Sequence, residues 1–332
     1  MTGLCTEKIS VLCRIHNAKV EESAFMRETK KRIWLFLGMG FGITWVGLII
    51  AYLRGVRYGD FLSNTLLTTM LFLPSLVVLL SHLITGEEFD PAGLGILPHI
   101  KGNIPRYLLA YFFPAVFTAV SALLFFASHP VNLDPMGETM MKALTESGQD
   151  EAYASEFLYT QVLLSALAGP LLGIVTAFTE ELGFRGYLLS KLKTLFGQGR
   201  RAAVIGSLLW SVWYLPLYFG GYHYGTDYAG FPFYGLLLGF AFNFCFSMFL
   251  SYLRWKTGSV FPCALARSGV DAMAAVPLYF TKGSTSLLIG PSTFGLLGCL
   301  VMLAAAVVSF LWMGRQEKQG RLYYQDYESL GK

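Results

Sequence analysis

The chain has 332 residues, 54% of them hydrophobic and 14% charged, and a mean hydropathy of +0.52. That apolar share exceeds what an ordinary soluble domain carries and excludes a purely water-soluble protein. The net charge of +4 is read as a basic rim facing the membrane, not as a nucleic-acid footprint.

A hydrocarbon core of about 30 Å takes roughly 20 apolar residues per helix, and the sequence offers eight such stretches. They fall at about 33–53, 63–84, 106–127, 158–179, 202–220, 232–253, 259–281 and 288–313. The expected fold is therefore all-α, a polytopic membrane helix bundle with about eight transmembrane helices. Its divisions are a segment 1–32, a transmembrane domain 33–314 and a tail 315–332. Roughly 30 mostly polar residues precede the first span, which reads as a signal anchor and not as a cleavable leader. Cys5 and Cys13 there are open to acylation. The remaining cysteines, Cys245, Cys263 and Cys299, fall within spans, and no CxxC or Cys/His spacing suggests zinc or a disulfide framework.

Twenty of the 25 basic residues fall before the first span, in alternate connections, or in the tail. The opposite side carries Arg54, Arg57, Lys142 and Lys282, and its long loop, about 128–157, is acidic through Asp134, Glu138, Glu146, Asp150, Glu151 and Glu156. The positive-inside rule then expects both termini to be cytoplasmic and the protein to be integral to the plasma membrane.

The fourth span ends on Glu180 and Glu181, with Arg185 just beyond. A carboxylate left unpaired in hydrocarbon costs several kcal/mol, so partners are expected. Glu181 and Arg185 are four apart on a helix and can pair. Glu180 lies about 100° around the helix and is left to accept a proton from water; the cluster could equally anchor the helix end. In the fifth span, Trp210, Trp213, Tyr218, Phe219, Tyr222 and Tyr224 are expected to pack the bundle and form an interfacial belt. Pro216, and Pro262 in the seventh span, can bend their helices. Asn243 in the sixth span is expected to bond a neighbouring helix. The seventh span carries Arg267 and Asp271 four residues apart. His223 is assigned to a loop beyond the outer end of the fifth span, on the face opposite Glu180, and His16, His82, His99 and His129 are given no role.

Three stretches in order carry a resemblance. "EELGFRGYLL" from Glu180, "SLLWSVWYLPLYF" (207–219) and "TGSVFPCALARSGVDA" (257–272) resemble the motifs of the CPBP family. Its members are also called Abi or type II CAAX prenyl endopeptidase-like intramembrane proteases. "LPSL" (73–76) and "GLGILP" (93–98) have a family look as well. The resemblance covers roughly 35–315, and its specific part is 158–275. It implies an intramembrane endopeptidase in which Glu180 activates water, supported by Glu181 and Arg185, and Asp271 is the polar member of the last motif. Where the family carries two histidines, which bind a metal such as zinc or stabilise the oxyanion, this chain has Tyr214 and Arg267.

An arginine cannot ligate a metal and a neutral tyrosine ligates poorly, so no cofactor is expected. Tyr214 and Arg267 can donate to an oxyanion, which leaves a metal-free, glutamate-driven hydrolysis open. Alternatively Arg267 pairs with Asp271 or Glu180 as a lock, and the activity is impaired or lost. The second function class is a non-cleaving regulator or immunity-type protein that binds a membrane protein or peptide. The partners in either case are that protein or peptide and the bilayer, with no nucleic acid. A transporter would show repeated halves, and none is apparent.

Overall fold

The computed structural model describes residues 2–56 and 58–324, with side chains from Val20 onward. Arg57 and Lys332 of the charge pattern lie outside the described residues, as do the side chains of Cys5, Cys13 and His16. Among the described residues every regular element is a helix, and the only β-pairing is one isolated bridge between Leu133 and Thr281.

Helix α1 (Thr2–Leu53) runs unbroken from the basic N-terminal segment into the first span. It is followed by α2 (Phe61–Thr85) and α3 (Ile104–Ser128). A broken pair comes next: α4, starting at Glu151–Leu163 and ending at Leu172, and α5, starting at Ile174–Glu181 and ending at Phe196. Then come α6 (Gly199–Trp213), α7 (Phe233–Thr257), α8 (Phe261–Met273) and α9 (Leu296–Lys318). Among the described residues, six helices are long and apolar enough to cross a membrane, and α4 with α5, bent by 45°, make a seventh if taken as one span.

Two expected spans therefore take other forms. The stretch 158–179 is not one straight helix, because the chain breaks at Gly173 between α4 and α5. The stretch 259–281 contains only the 13 residues of α8 and a single turn at Val276–Tyr279. Thirteen residues rise about 20 Å, less than the hydrocarbon thickness. Yet α8 joins the two faces of the bundle. Its leading residue Val260 donates its N–H to Gly95 in the α2–α3 connection, and Phe280 beyond it accepts from Asp134 in the α3–α4 connection. Because α3, α4, α5 and α7 pack around it, and Pro262 to Val270 are buried, α8 is solvated by protein and not by lipid. It can be short and carry charge for that reason.

Close approach depends on two glycines. Gly183 in α5 lies against Pro74 of α2, where an added Cβ would stand 3.0 Å from the Pro74 carbonyl carbon. Gly269 of α8 lies against Pro114 of α3, where the distance to the proline Cγ would be 2.5 Å. Each proline frees a carbonyl one turn back in its own helix, and each presents a flat face that a glycine accepts. The start of the first span and the end of the last meet the same face: Arg32 lies 3.4 Å from Glu87 of the α2–α3 connection, and Glu317 of α9 accepts from the Gly199 N–H at the start of α6. That face is called the basic face below.

Candidate functional site

Helix α5 carries the first set of charges through a change of pitch. Its α-helical part ends at Glu181 and passes into a π-helical turn, Leu182–Leu188, before α-geometry resumes at Leu189. Such widened turns interrupt helices at sites of function. Here the turn contains Arg185, whose Nη1 donates to Glu181 Oε1 at 3.0 Å, with the two side chains 2% and 0% exposed. The expected i, i+4 pair is present, and its guanidinium lies 4.2 Å above the Trp210 ring of α6.

Glu180 points elsewhere, as its position on the helix requires. Its Oε1 accepts from Trp210 Nε1 at 2.6 Å and from the Tyr214 hydroxyl at 2.8 Å. Its Oε2 has no hydrogen-bond partner and stands 3.5 Å from Arg267 Nη2. The same nitrogen donates to the Tyr214 oxygen at 2.6 Å, and Arg267 Nη1 lies 3.6 Å from Asp271 Oδ1. A single relay thus runs from Asp271 through Arg267 and Tyr214 to Glu180. Arg267 engages both of the carboxylates that the sequence offered as alternatives. Tyr214 is placed by a break: α6 ends at Trp213, and a short helix, Leu215–Phe219, restarts with Pro216 in its first turn. Pro262 likewise stands in the first turn of α8, where proline is tolerated.

Two cavities meet at this relay. One, of about 340 Å³, is lined by Leu71 of α2, Gln161 of α4, Thr176 and Glu180 of α5, and Arg267 and Asp271 of α8. The other, of about 430 Å³, is lined by Tyr58, Tyr222, His223 and Phe294 together with Arg267 and Asp271. Leu71, Arg267 and Asp271 form the wall the two share. Asp271 is 41% exposed and Arg267 only 4%, so the carboxylate faces open space while the guanidinium is enclosed.

His223 lies, as expected, in the loop beyond the fifth span, in a left-handed turn with φ of 67°, and its ring stacks 3.6 Å from Phe294 and lies 3.7 Å from Tyr222. There it borders the cavity that Arg267 and Asp271 also border. Burial, and after it the nearby Arg267 guanidinium, push the His223 imidazole well below its ordinary pKa, which keeps it neutral. Trp210, expected to pack the bundle and form an interfacial belt, also donates its indole N–H to Glu180, which the sequence does not show. The signal available was its place four residues before Tyr214, on the same helix face. Tyr58 gives no signal, since it lies in a connection far from every motif. Asn243 bonds across helices as expected, donating to the Tyr218 hydroxyl at 3.0 Å. Trp213, Tyr218, Tyr222 and Tyr224 are buried in the bundle, whereas Phe219 is 51% exposed.

Zinc does not fit this donor set. The guanidinium of Arg267 stands 3.5 Å from the Glu180 carboxylate and has no lone pair to offer a metal. Among the described residues, no three histidine, cysteine, aspartate or glutamate side chains are grouped to hold an ion.

Residues 156–273 match the model of a family described as Type II CAAX prenyl endopeptidase Rce1-like. That segment contains Glu180, Glu181, Arg185, Tyr214, Arg267 and Asp271; the motifs at 73–76 and 93–98 lie outside it. No curated protein matches the chain.

Proposed function

We propose that this chain, Rce1-like over residues 156–273, is an integral membrane protein that holds a peptide or protein tail in its polar hollow without hydrolysing it. The observation that carries this reading is the position of Arg267. Its guanidinium contacts Glu180, Tyr214 and Asp271 together. Hydrolysis requires a base, a water and a donor aimed at the developing oxyanion. The one hydroxyl proton of Tyr214 is directed at Glu180, and the Nη groups of Arg267 face carboxylates and the phenol. The Tyr214 hydroxyl and both Nη groups are thereby engaged in holding the carboxylates, and of these donors only the buried Arg267 Nε–H is left without a partner.

What remains suits binding. The cavity of about 340 Å³ falls within the usual range of ligand sites. It presents the exposed side of Asp271 as an acceptor for the N–H groups of an extended segment, with Gln161 and Thr176 as further polar contacts. The mostly apolar remainder of its wall suits a tail that enters from the bilayer. On this reading the protein lies in the plasma membrane with both termini cytoplasmic, and its partner is a membrane protein or a membrane-bound peptide.

A specific observation favours a second reading, in which Glu180 still activates water: the residue lines the cavity, and its buried Oε2 has no hydrogen-bond partner. One experiment separates the two. Purified protein is mixed with prenylated and unprenylated CAAX-type peptides that carry a photo-crosslinker, and both adducts and cleavage products are followed by mass spectrometry. The proposal expects adducts at α4 and α5, around Gln161 and Thr176, with intact peptide. Absence of adducts overturns binding, and peptide turnover that disappears in Glu180→Ala overturns the loss of hydrolysis.

A further inference from the structure

A second cluster of cations lies on the basic face, away from the relay. Arg254, in the last turn of α7, is only 5% exposed. Its Nε donates to the Arg185 carbonyl at 3.2 Å and its Nη2 to the Gly93 carbonyl at 2.8 Å. Gly95, with φ of 71°, lets the chain pass over this guanidinium, where an added Cβ would meet Arg254 Cζ at 2.6 Å. Lys193, near the end of α5, stands 3.5 Å above the Tyr323 ring and 5.7 Å from the Trp255 ring. Both cations line a cavity of about 430 Å³ that His99, Trp255, Tyr323 and Tyr324 help to enclose.

Among the described residues, neither cation forms an ion pair with a carboxylate. The nearby Glu317 is engaged instead by the Gly199 N–H and the Tyr323 hydroxyl. Two carbonyls satisfy part of a guanidinium's donor set but do not neutralise its charge, and a buried charge without a counterion is costly. The aromatic walls hold Lys193 by its positive charge and likewise leave it without an anion. An anion would complete the site.

We propose that this pocket binds a phosphate group, carried either by the headgroup of an anionic phospholipid or by a soluble phosphate ester. Arginine and lysine together recognise phosphate through charge-assisted hydrogen bonds. The depth also fits, because the pocket lies at the end of a membrane-length helix, among tryptophan and tyrosine side chains of the kind found at headgroup level. The pocket is separate from the peptide hollow, and its test does not depend on whether that hollow binds or cleaves.

The test uses the full chain in nanodiscs of phosphatidylcholine alone, of phosphatidylcholine and phosphatidylglycerol in equal parts, and of phosphatidylcholine with inorganic phosphate added. Retained ligand is counted by native mass spectrometry. Arg254→Gln also removes the contacts to Gly93 and Arg185 and can disturb folding, so Lys193→Gln is the main variant. Lys101→Gln, outside the pocket in the α2–α3 connection, is the control. The proposal expects Lys193→Gln to weaken retention about tenfold, the loss of one charge-assisted contact, with Lys101→Gln unchanged. Retention of phosphatidylglycerol alone assigns the site to a lipid, and an equal effect of free phosphate assigns it to a soluble ester. Equal retention by wild type and Lys193→Gln in both arms overturns it.

Discussion

A guanidinium enclosed between a buried glutamate and a half-open aspartate is held by both, but not equally. Glu180 is wholly buried, whereas Asp271 is 41% exposed and can turn to water. Removing the cation therefore strands Glu180 first. Arg267→Leu is expected to cost about 3–5 kcal/mol, the usual penalty for leaving a buried charge unpaired, while Asp271→Asn costs far less. Thermal unfolding in detergent reads both, and equal losses would show that Glu180 does not depend on Arg267. Outside the membrane, Asp134 gives a pH prediction. Burial raises its pKa, but the N–H groups of Thr139 and Glu138 and the charge of Lys282 outweigh this, and the net shift is downward. A depressed carboxylate stabilises the fold fully above its unfolded value of about 3.9 and loses that contribution as pH falls through the folded value. Protection against hydrogen exchange at the start of the Glu138–Glu146 helix, taken relative to the intrinsic rate at each pH, should therefore fall in that acid window, and Asp134→Asn should remove that loss of protection. At this scale the sequence showed which residues could pair, because i, i+4 spacing determines Glu181 with Arg185 and Arg267 with Asp271. It did not show Trp210 or His223 in the site. An aromatic at helical spacing looks the same whether it packs or donates, and a left-handed turn at His223 leaves no trace in hydropathy.

The helices differ from their expected lengths for one physical reason: a hydropathy window registers how apolar a segment is, not what covers it. Helix α8 is short because protein surrounds it, and α4 and α5 bend at Gly173 and widen at Leu182–Leu188 where the site is built. The positions of Glu180 and Arg185 on their helix could be read from spacing, but the π-turn that contains Arg185 could not, since no residue type demands it. Packing at this scale is tested through the glycine contacts. Gly183→Ala would press a Cβ to 3.0 Å from the Pro74 backbone and is expected to destabilise by about 1–3 kcal/mol through overpacking. Gly42→Ala in α1 meets open space and should be neutral or mildly stabilising, as alanine is in a helix. Unfolding midpoints of the two variants decide this, and a neutral Gly183→Ala would mean that α2 and α5 are not closely packed.

For the whole molecule, the alternation of basic connections leads to the expectation that both termini lie on one side. The contacts of Arg32 with Glu87 and of Glu317 with Gly199 place the start of the first span and the end of the last on one face. The parity survives although α8 is not a lipid-exposed span, because its ends still reach the two faces. Cysteines introduced singly at Glu28, Ser147 and Lys318 in a cysteine-free background should report it through an impermeant maleimide. Glu28 and Lys318 should label from the same side and Ser147 from the other; labelling of Glu28 and Lys318 from opposite sides would break the topology. The central claim, that Arg267 and Tyr214 close a protease-like hollow into a binding site, is tested most directly by mass spectrometry of a prenylated CAAX-type peptide incubated with purified wild-type and Glu180→Ala protein. The account predicts intact peptide with both. Cleavage by the wild type that vanishes in the variant would contradict it.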